Sequence, residues 1–238
     1  MLNRRIMICA IALSALSLSA CRTATPAPSE FQAVENTTNA YQAFAKRDCT
    51  TVESLTGRDS LDAWAFNEMR HSMQLLHGFC RELAGDIEGA RDVYRRLVVE
   101  APASFAADDA AERIRVLKIS EADPGYARWT EGARDRLDPS RPNRTPIDRV
   151  AVRFPPLARA AEIRGFTIVE FGVTERGETD TPIVVDSNPP LLFDGTSIRA
   201  IRRWQYESEP QVDPSHRQLI RLIFEPDGKM ESMDATTE

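Results

Sequence analysis

The sequence of 238 residues lacks the short motifs that common enzyme classes require. It contains no G-x-S-x-G nucleophile motif, no glycine-rich phosphate loop and no HExxH zinc motif. Only three histidines are present, His71, His77 and His216. The net charge of −6 also does not favour a surface for nucleic-acid phosphates. We therefore predict a protein that is not an enzyme, with no catalytic residues, no cofactor and no nucleic-acid partner.

The N-terminus lacks an apolar run long enough to cross a bilayer comfortably. A basic start, Arg4-Arg5, precedes an uncharged run from Ile6 to Ala20, which is shorter than the ~20 residues of a spanning helix. This layout is typical of a secretory signal peptide. The run ends in Leu18-Ser19-Ala20-Cys21, which resembles the lipobox of bacterial lipoproteins. The alternatives are ordinary cleavage near Ala20 and an uncleaved membrane anchor.

The lipobox resemblance implies a signal peptide at residues 1–20, an acylated Cys21 that contacts the lipid membrane, and a lipidated tether at residues 21–29. Arg22 follows the cysteine. In enteric lipoproteins an aspartate at this position retains the protein at the inner membrane. The resemblance therefore implies anchoring at the periplasmic face of the outer membrane, with inner-membrane anchoring as the alternative.

Cysteines are few, and Cys49 and Cys80 are the pair that remains in the mature chain beside Cys21. In an oxidising compartment an even pair usually bridges, so we predict a Cys49–Cys80 disulfide. The alternative is a metal site that uses Cys49, His77 and Cys80. His71 lies off their helical face and no fourth ligand is evident, so we predict no metal.

Residues 30–118 are predicted to be helical, because their apolar residues recur with a period near 3.6. The stripe of the first helix includes Phe31, Val34, Tyr41 and Phe44. Residues 71–104 resemble one tetratricopeptide repeat, whose small, aromatic and proline positions recur here. The matching residues are Gly78, Ala90, Tyr94 and Pro102. The alternative is a generic helical bundle, and both alternatives indicate a packing or interaction unit.

A proline-rich stretch at residues 119–149 is predicted to be a linker, with a short helix from Tyr126 to Leu137. Beyond it, Phe166–Val173 alternates as a strand and is followed by a turn at Gly177. A second strand through Ile183–Val185, a helix at about 191–204 and a third strand at Leu219–Phe224 complete the pattern. The last residues, 229–238, are predicted to be a disordered tail.

The segment at 150–228 resembles the C-terminal domain of the TonB energy transducers. The likeness rests on many positions that recur in register, and it covers about a third of the chain. Thr167, Gly195 and Ser197 depart from the family pattern. The positions that match are Phe154-Pro155-x-x-Ala158, Gly165-x-x-x-Val169-x-Phe171-x-Val173, Gly177, Pro190-x-x-Phe193-Asp194 and Ala200-Ile201-x-x-Trp204-x-Tyr206.

The resemblance implies an α+β fold in which a three-stranded antiparallel sheet packs on one helix, next to an N-terminal helical domain that resembles a tetratricopeptide repeat. The core would be formed by Val169, Phe171, Val173, Phe193, Ile201 and Trp204. The last strand would be an open edge to which a partner peptide adds as a further strand. This edge is Gln218, Leu219, Ile220, Arg221, Leu222, Ile223 and Phe224. Alternatively, these residues only close the sheet, protected by self-association as a homodimer.

The function that the resemblance implies is a lipid-anchored adaptor that faces the periplasm and binds an envelope protein or peptide by strand addition. One alternative is a TonB-family energy transducer for outer-membrane receptors. Residues 1–20 contain no histidine, and no long proline-rich spacer follows, which disfavours coupling to an inner-membrane motor. The other alternative is a structural envelope protein that acts through its helical domain.

Overall fold

The computed structural model describes residues 29–56, 67–123, 143–211, 213, 216–227 and 230–234. The helical part, residues 29–123, contains α1 (Glu30–Ala45), α2 (Cys49–Thr56), α3 (Asn67–Leu83), α4 (Ile87–Glu100) and α5 (Phe105–Ala122). The C-terminal part, residues 143–234, contains α6 (Pro156–Ala160), β1 (Gly165–Val173), β2 (Thr179–Asn188), α7 (Asp194–Ile201), β3 (Gln218–Phe224) and β4 (Met230–Asp234). The α+β class is confirmed. Three predictions concern residues outside the described ones. They are the signal peptide, the lipidation of Cys21 and the helix at 126–137.

Side-chain caps precede several of the helices, among them α1, α4 and α5. Ser29 accepts from the backbone N–H of Gln32, whose side chain accepts from the N–H of Ser29, and this capping box starts α1. Asp86 caps α4, and Ser104 caps α5. Each cap satisfies an N–H group that the first turn of a helix leaves without a partner in the helix.

Helices α3 and α4 approach each other closely at Gly78. A Cβ atom at Gly78 would lie 2.5 Å from Cε1 of Tyr94 and 3.2 Å from Cγ1 of Val93. Tyr94 is fully buried, and its ring centroid lies 6.2 Å from that of Phe79. The small residue at 78 and the aromatic residue at 94 therefore meet, as the resemblance to a tetratricopeptide repeat implies.

The predicted disulfide is present. Cys49, at the start of α2, is bonded to Cys80 in α3, with the two Cα atoms 5.5 Å apart. The alternative metal site loses both of its sulfur ligands to this bond. His77 instead accepts a hydrogen bond from Nε of Arg81 at 2.9 Å.

The first turn of α1 departs from the predicted apolar stripe. Phe31 is 77% exposed and Val34 is 46% exposed. The buried face of α1 runs through Ala33, Thr37 and Phe44. At 100° per residue, Phe31 lies well off the line through these three, so apolar character alone assigned it to the wrong face. Val34 lies close in direction to the buried Tyr41 but is nevertheless partly exposed.

The C-terminal sheet is antiparallel, with strand order β2-β1-β3-β4. The three predicted strands are present, but β4 adds a fourth. Strand β1 pairs with β3 from Gly165↔Phe224 to Phe171↔Gln218, and β4 pairs with the other side of β3 from Ile220↔Asp234 to Phe224↔Met230. Strand β3 therefore lies inside the sheet.

Two predictions are wrong as a result. The open edge assigned to Gln218–Phe224 is occupied, because β4 pairs with five of these seven residues. The tail assigned to disorder from 229 forms a strand at Met230–Asp234. Its polar sequence does not alternate strongly with apolar residues, so only pairing with β3 defines it as a strand.

The core of the C-terminal part lies between the sheet and α7. Phe193 stacks on Phe224 with their ring centroids 4.2 Å apart, and Trp204 donates from Nε1 to the carbonyl of Val150 at 3.0 Å. The structure places all six residues of the predicted core here, each at most 5% exposed. They are Val169, Phe171, Val173, Phe193, Ile201 and Trp204.

Candidate partner-binding edge and interdomain face

The side of β3 that faces away from β1 is covered by two separate groups. Strand β4 pairs with Ile220–Phe224. Beyond the end of that pairing, the side-chain amide of Asn143 donates to the carbonyl of Leu219 at 2.7 Å and accepts from its N–H at 2.9 Å. A carboxamide carries a donor and an acceptor, as a peptide group does. Asn143 thus takes the place that a longer β4 would fill.

The segment that starts at Asn143 is hydrogen-bonded to the C-terminal part, although the sequence analysis places it in the predicted linker at 119–149. The N–H of Arg144 donates to Oε1 of Gln218 at 2.5 Å. Further on, the N–H of Gln205 donates to the carbonyl of Asp148 at 3.0 Å, and the N–H of Ile147 donates to the carbonyl of Gln205 at 2.8 Å. The last residues of the predicted linker are therefore fixed to the fold.

The opposite edge of the sheet, β2, is less regular than β3. Its pairing with β1 shifts register between Ile168 and Val169, and again between Glu170 and Gly172. Pro182 in β2 has no N–H to donate, and proline is confined to edges and bulges for this reason. The breaks in register and the missing donor make β2 a poor template for an added strand.

A buried ionic network joins the helical part to the C-terminal part. Arg113 in α5 donates from Nε to Oε2 of Glu82 at 3.2 Å and forms a second bond to the other carboxylate oxygen through Nη2. Its Nη1 lies 3.9 Å from the carboxylate of Asp194 in α7. The hydroxyl of Tyr94 donates to Oε2 of Glu82 at 2.8 Å. One guanidinium therefore links α3, α5 and α7.

Two further ion pairs connect α5 with α7 in register. Nη1 of Arg199 lies 2.5 Å from Oδ1 of Asp109, and Nη1 of Arg202 lies 2.7 Å from Oε1 of Glu112. The partners are three residues apart on both sides, with Arg202 as the C-cap residue of α7, so they lie on one face of each helix. We call these two pairs the α5–α7 ladder. Both carboxylates are buried.

Burial is the largest influence on the pKa values of the acidic groups in this interface. It raises the pKa of Asp109 to about 6, and the nearby Arg199 opposes this rise. Burial also raises the pKa of Asp194 to about 6, with Arg113 in opposition. The pKa of the Tyr94 hydroxyl lies well above its ordinary value, again mainly because of burial. Desolvation is thus the main cost of this interface, and the arginines offset part of it.

The sequence does not reveal this interface. Charge alone assigns Asp109, Arg199 and Arg202 to solvent, whereas the structure pairs all three across two helices. One departure from the family pattern marks the interface, because Gly195 lies against Asp109. The other two departures lie inside the C-terminal part, where the fully buried side chains of Thr167 and Ser197 hydrogen-bond each other at 2.8 Å.

The elements from α6 to β3 define a small α+β domain in which one helix packs on an antiparallel sheet. Residues 150–226 match the family described as Gram-negative bacterial TonB protein C-terminal. This part of the chain is a TonB C-terminal domain, as the sequence pattern predicts, and we call residues 143–234 the TonB-type part.

Two known relatives match about a third of the chain. Protein TonB of Escherichia coli (strain K12) is 28% identical over 85 residues, 36% of this chain and 34% of that protein. Protein TonB of Salmonella typhimurium (strain LT2) is 27% identical over 82 residues, 34% of this chain and 33% of that protein. The chain thus spans about a third of the length of these curated relatives.

A solved structure of the TonB2 protein from Vibrio anguillarum is 25% identical. The match covers 36% of this chain and 84% of that chain, with a TM-score of 0.29. Within the described residues, none of the helices combines the length and apolar character that crossing a membrane requires.

Proposed function

We propose that the protein is a lipid-anchored adaptor of the cell envelope that binds another envelope protein or peptide through its TonB-type part. The match to the TonB C-terminal family supports a protein-binding role. The binding mode rests on the outer side of β3, which pairs only with the short strand β4 and the side chain of Asn143 within the described residues. A partner segment takes the place of β4 and pairs with β3 as a new strand.

A partner strand can pair with more of β3 than β4 does. Strand β1 pairs with all seven residues of β3, Gln218–Phe224, whereas β4 pairs with five. The N–H and C=O of Leu219 become available to an incoming strand once the side chain of Asn143 rotates away. The added backbone hydrogen bonds favour exchange, and alternate side chains of the partner provide selectivity.

The competing geometry is addition to the outer edge of β4, by a partner or by a second copy of this chain in a homodimer. That geometry needs β4 in place, whereas exchange needs β4 to leave. Removal of β4 therefore has opposite effects in the two cases, and this difference determines the experiment.

Truncation after Asp227 is expected to create an acceptor for a strand. A fluorescent peptide with the sequence of residues 229–235 should bind the truncated chain and should not detectably bind the intact chain. In the intact chain β4 competes at an effective concentration on the order of mM, as for short flexible connections. Fluorescence anisotropy measures both affinities, and circular dichroism verifies that the truncated chain is folded.

The control is the same peptide with Met233→Pro. Leu219 directs its N–H and C=O away from β1. Alternate residues of a strand point their backbone groups the same way, so Arg221 and Ile223 also direct theirs towards β4. The residue of β4 that pairs with Arg221 is Met233. Proline at this position removes a donor to β3 and should abolish binding. A folded truncated chain that binds neither peptide, or binds both equally, would contradict exchange. If truncation prevents folding, the full chain with Met233→Pro replaces it in the same measurement.

Anchoring through Cys21 is the second element of the proposal. The apolar run before Cys21 and the Leu18-Ser19-Ala20-Cys21 sequence support acylation of this cysteine. Arg22 supports the outer membrane rather than the inner membrane as its location. Incorporation of labelled palmitate in cells should be lost in Cys21→Ala, and retention of label in this variant would refute the anchor.

A further inference from the structure

The outward face of α7 is built to fit α5. Gly195, Arg199 and Arg202 lie on this face, since they are spaced four and three residues apart. Arg199 and Arg202 form the α5–α7 ladder with Asp109 and Glu112. Because both pairs form at once, they fix the two helices in a single register along their axes.

Gly195 shows how closely the two helices approach. A Cβ atom at this position would lie 2.6 Å from Oδ1 of Asp109 and 3.2 Å from its Cα. Glycine inside a helix costs up to about 1 kcal/mol relative to alanine, so α7 itself does not favour glycine at position 195 in its first turn. The absence of a side chain at 195 leaves room for Asp109 of α5.

Apolar and aromatic contacts extend the same interface. The guanidinium groups of Arg199 and Arg153 lie 5.3 Å and 5.6 Å from the centroid of the Phe105 ring. Helix α1 contacts α6, and one cluster of buried apolar residues runs through both parts of the chain. The ion pairs therefore add orientation to a contact that also buries apolar surface.

We propose that this face of α7 is a docking surface for the helical part, which acts as a built-in subunit of the TonB-type part rather than as an independent domain on a linker. Arg115 of α5 lines a cleft together with Thr181 and Pro182 of β2, so the helical part lies towards the β2 edge. Strand β4 forms the opposite edge of the sheet. Within the described residues, docking therefore takes place away from the β4 edge, and the inference does not depend on strand exchange.

The test uses the full chain with a site for a specific protease inserted between Pro124 and Arg141, in the predicted linker. After cleavage, the two halves should still elute together in size-exclusion chromatography at low ionic strength. Separation of two folded halves under these conditions would overturn the proposal. Added salt should weaken the association, because exposed edges of the ladder are screened.

Gly195→Ala is the most informative variant in this assay. The added methyl group should weaken the association of the cleaved halves by about tenfold or more, because it overlaps the carboxylate of Asp109. Alanine also favours helix, so melting of α7 cannot explain a loss of association. An unchanged dissociation constant would contradict the docking surface.

A matched pair of charge reversals gives the second measurement. Arg199→Glu should dissociate the cleaved halves, whereas Arg203→Glu should not. Both variants change the net charge equally, but Arg203 is exposed and forms no ion pair with α5 within the described residues. Equal effects of the two reversals would mean that net charge, rather than the ladder, controls the association.

Discussion

Arg113→Ala is expected to lower the free energy of unfolding by about 3–5 kcal/mol, which is typical when one partner of a buried ion pair is removed. The side chain of Arg113 is only 9% exposed, and those of Glu82 and Asp194 are 10% and 6% exposed. Without the guanidinium, two carboxylates remain buried with no compensating charge between them. Urea denaturation followed by circular dichroism measures the loss.

The matched control for this prediction is Arg95→Ala. Arg95 pairs with Asp92 three residues earlier on the same helix, at 3.4 Å, but both side chains are more than half exposed. Surface pairs of this kind contribute at most about 1 kcal/mol. A loss for Arg113→Ala no larger than that for Arg95→Ala would show that the network does not stabilise the junction of α3, α5 and α7.

Replacement of both bridged cysteines, Cys49→Ser with Cys80→Ser, is expected to cost about 3–4 kcal/mol in the chain-entropy treatment of a closed loop. The two residues are 31 positions apart, so the bond restricts a substantial loop in the unfolded chain. The two bonded residues lie on α2 and α3, and these two helices pack on each other. The midpoint of urea denaturation should fall accordingly.

Reduction provides the control for the disulfide. A reductant should lower the midpoint of the natural chain to that of the double variant and should leave the double variant unchanged. If the two proteins unfold at the same denaturant concentration before any reductant is added, the bond contributes nothing to stability.

Local patterns explain which parts of the fold could be predicted. The period of 3.6 in α3 and α4 and the alternation in β1 arise from residues near each other in sequence, so they are visible in the chain alone. The disulfide follows from cysteine count and compartment. Strand β4 has no such pattern in Met230–Asp234, because its conformation depends on backbone pairing with β3.

The candidate site was harder to predict because it depends on groups that are far apart in sequence. Asn143 lies 76 positions from Leu219, and Asp109 lies 90 positions from Arg199. A charged residue on a helix usually faces water, and only the tertiary arrangement places an opposite charge across from it. Gly195 is the one local clue, since glycine in the first turn of α7 does not stabilise the helix by itself.

The Cys49–Cys80 bond also has a mechanical consequence. A pulling force between the N-terminus and the sheet passes directly from Cys49 to Cys80 through the sulfur atoms. The segment between the two cysteines, if fully drawn out, would lengthen the chain by roughly 100 Å at about 3.4 Å per residue. The disulfide prevents this extension. The maximum distance between the N-terminus and the sheet is therefore limited, even when α2 and α3 have unfolded.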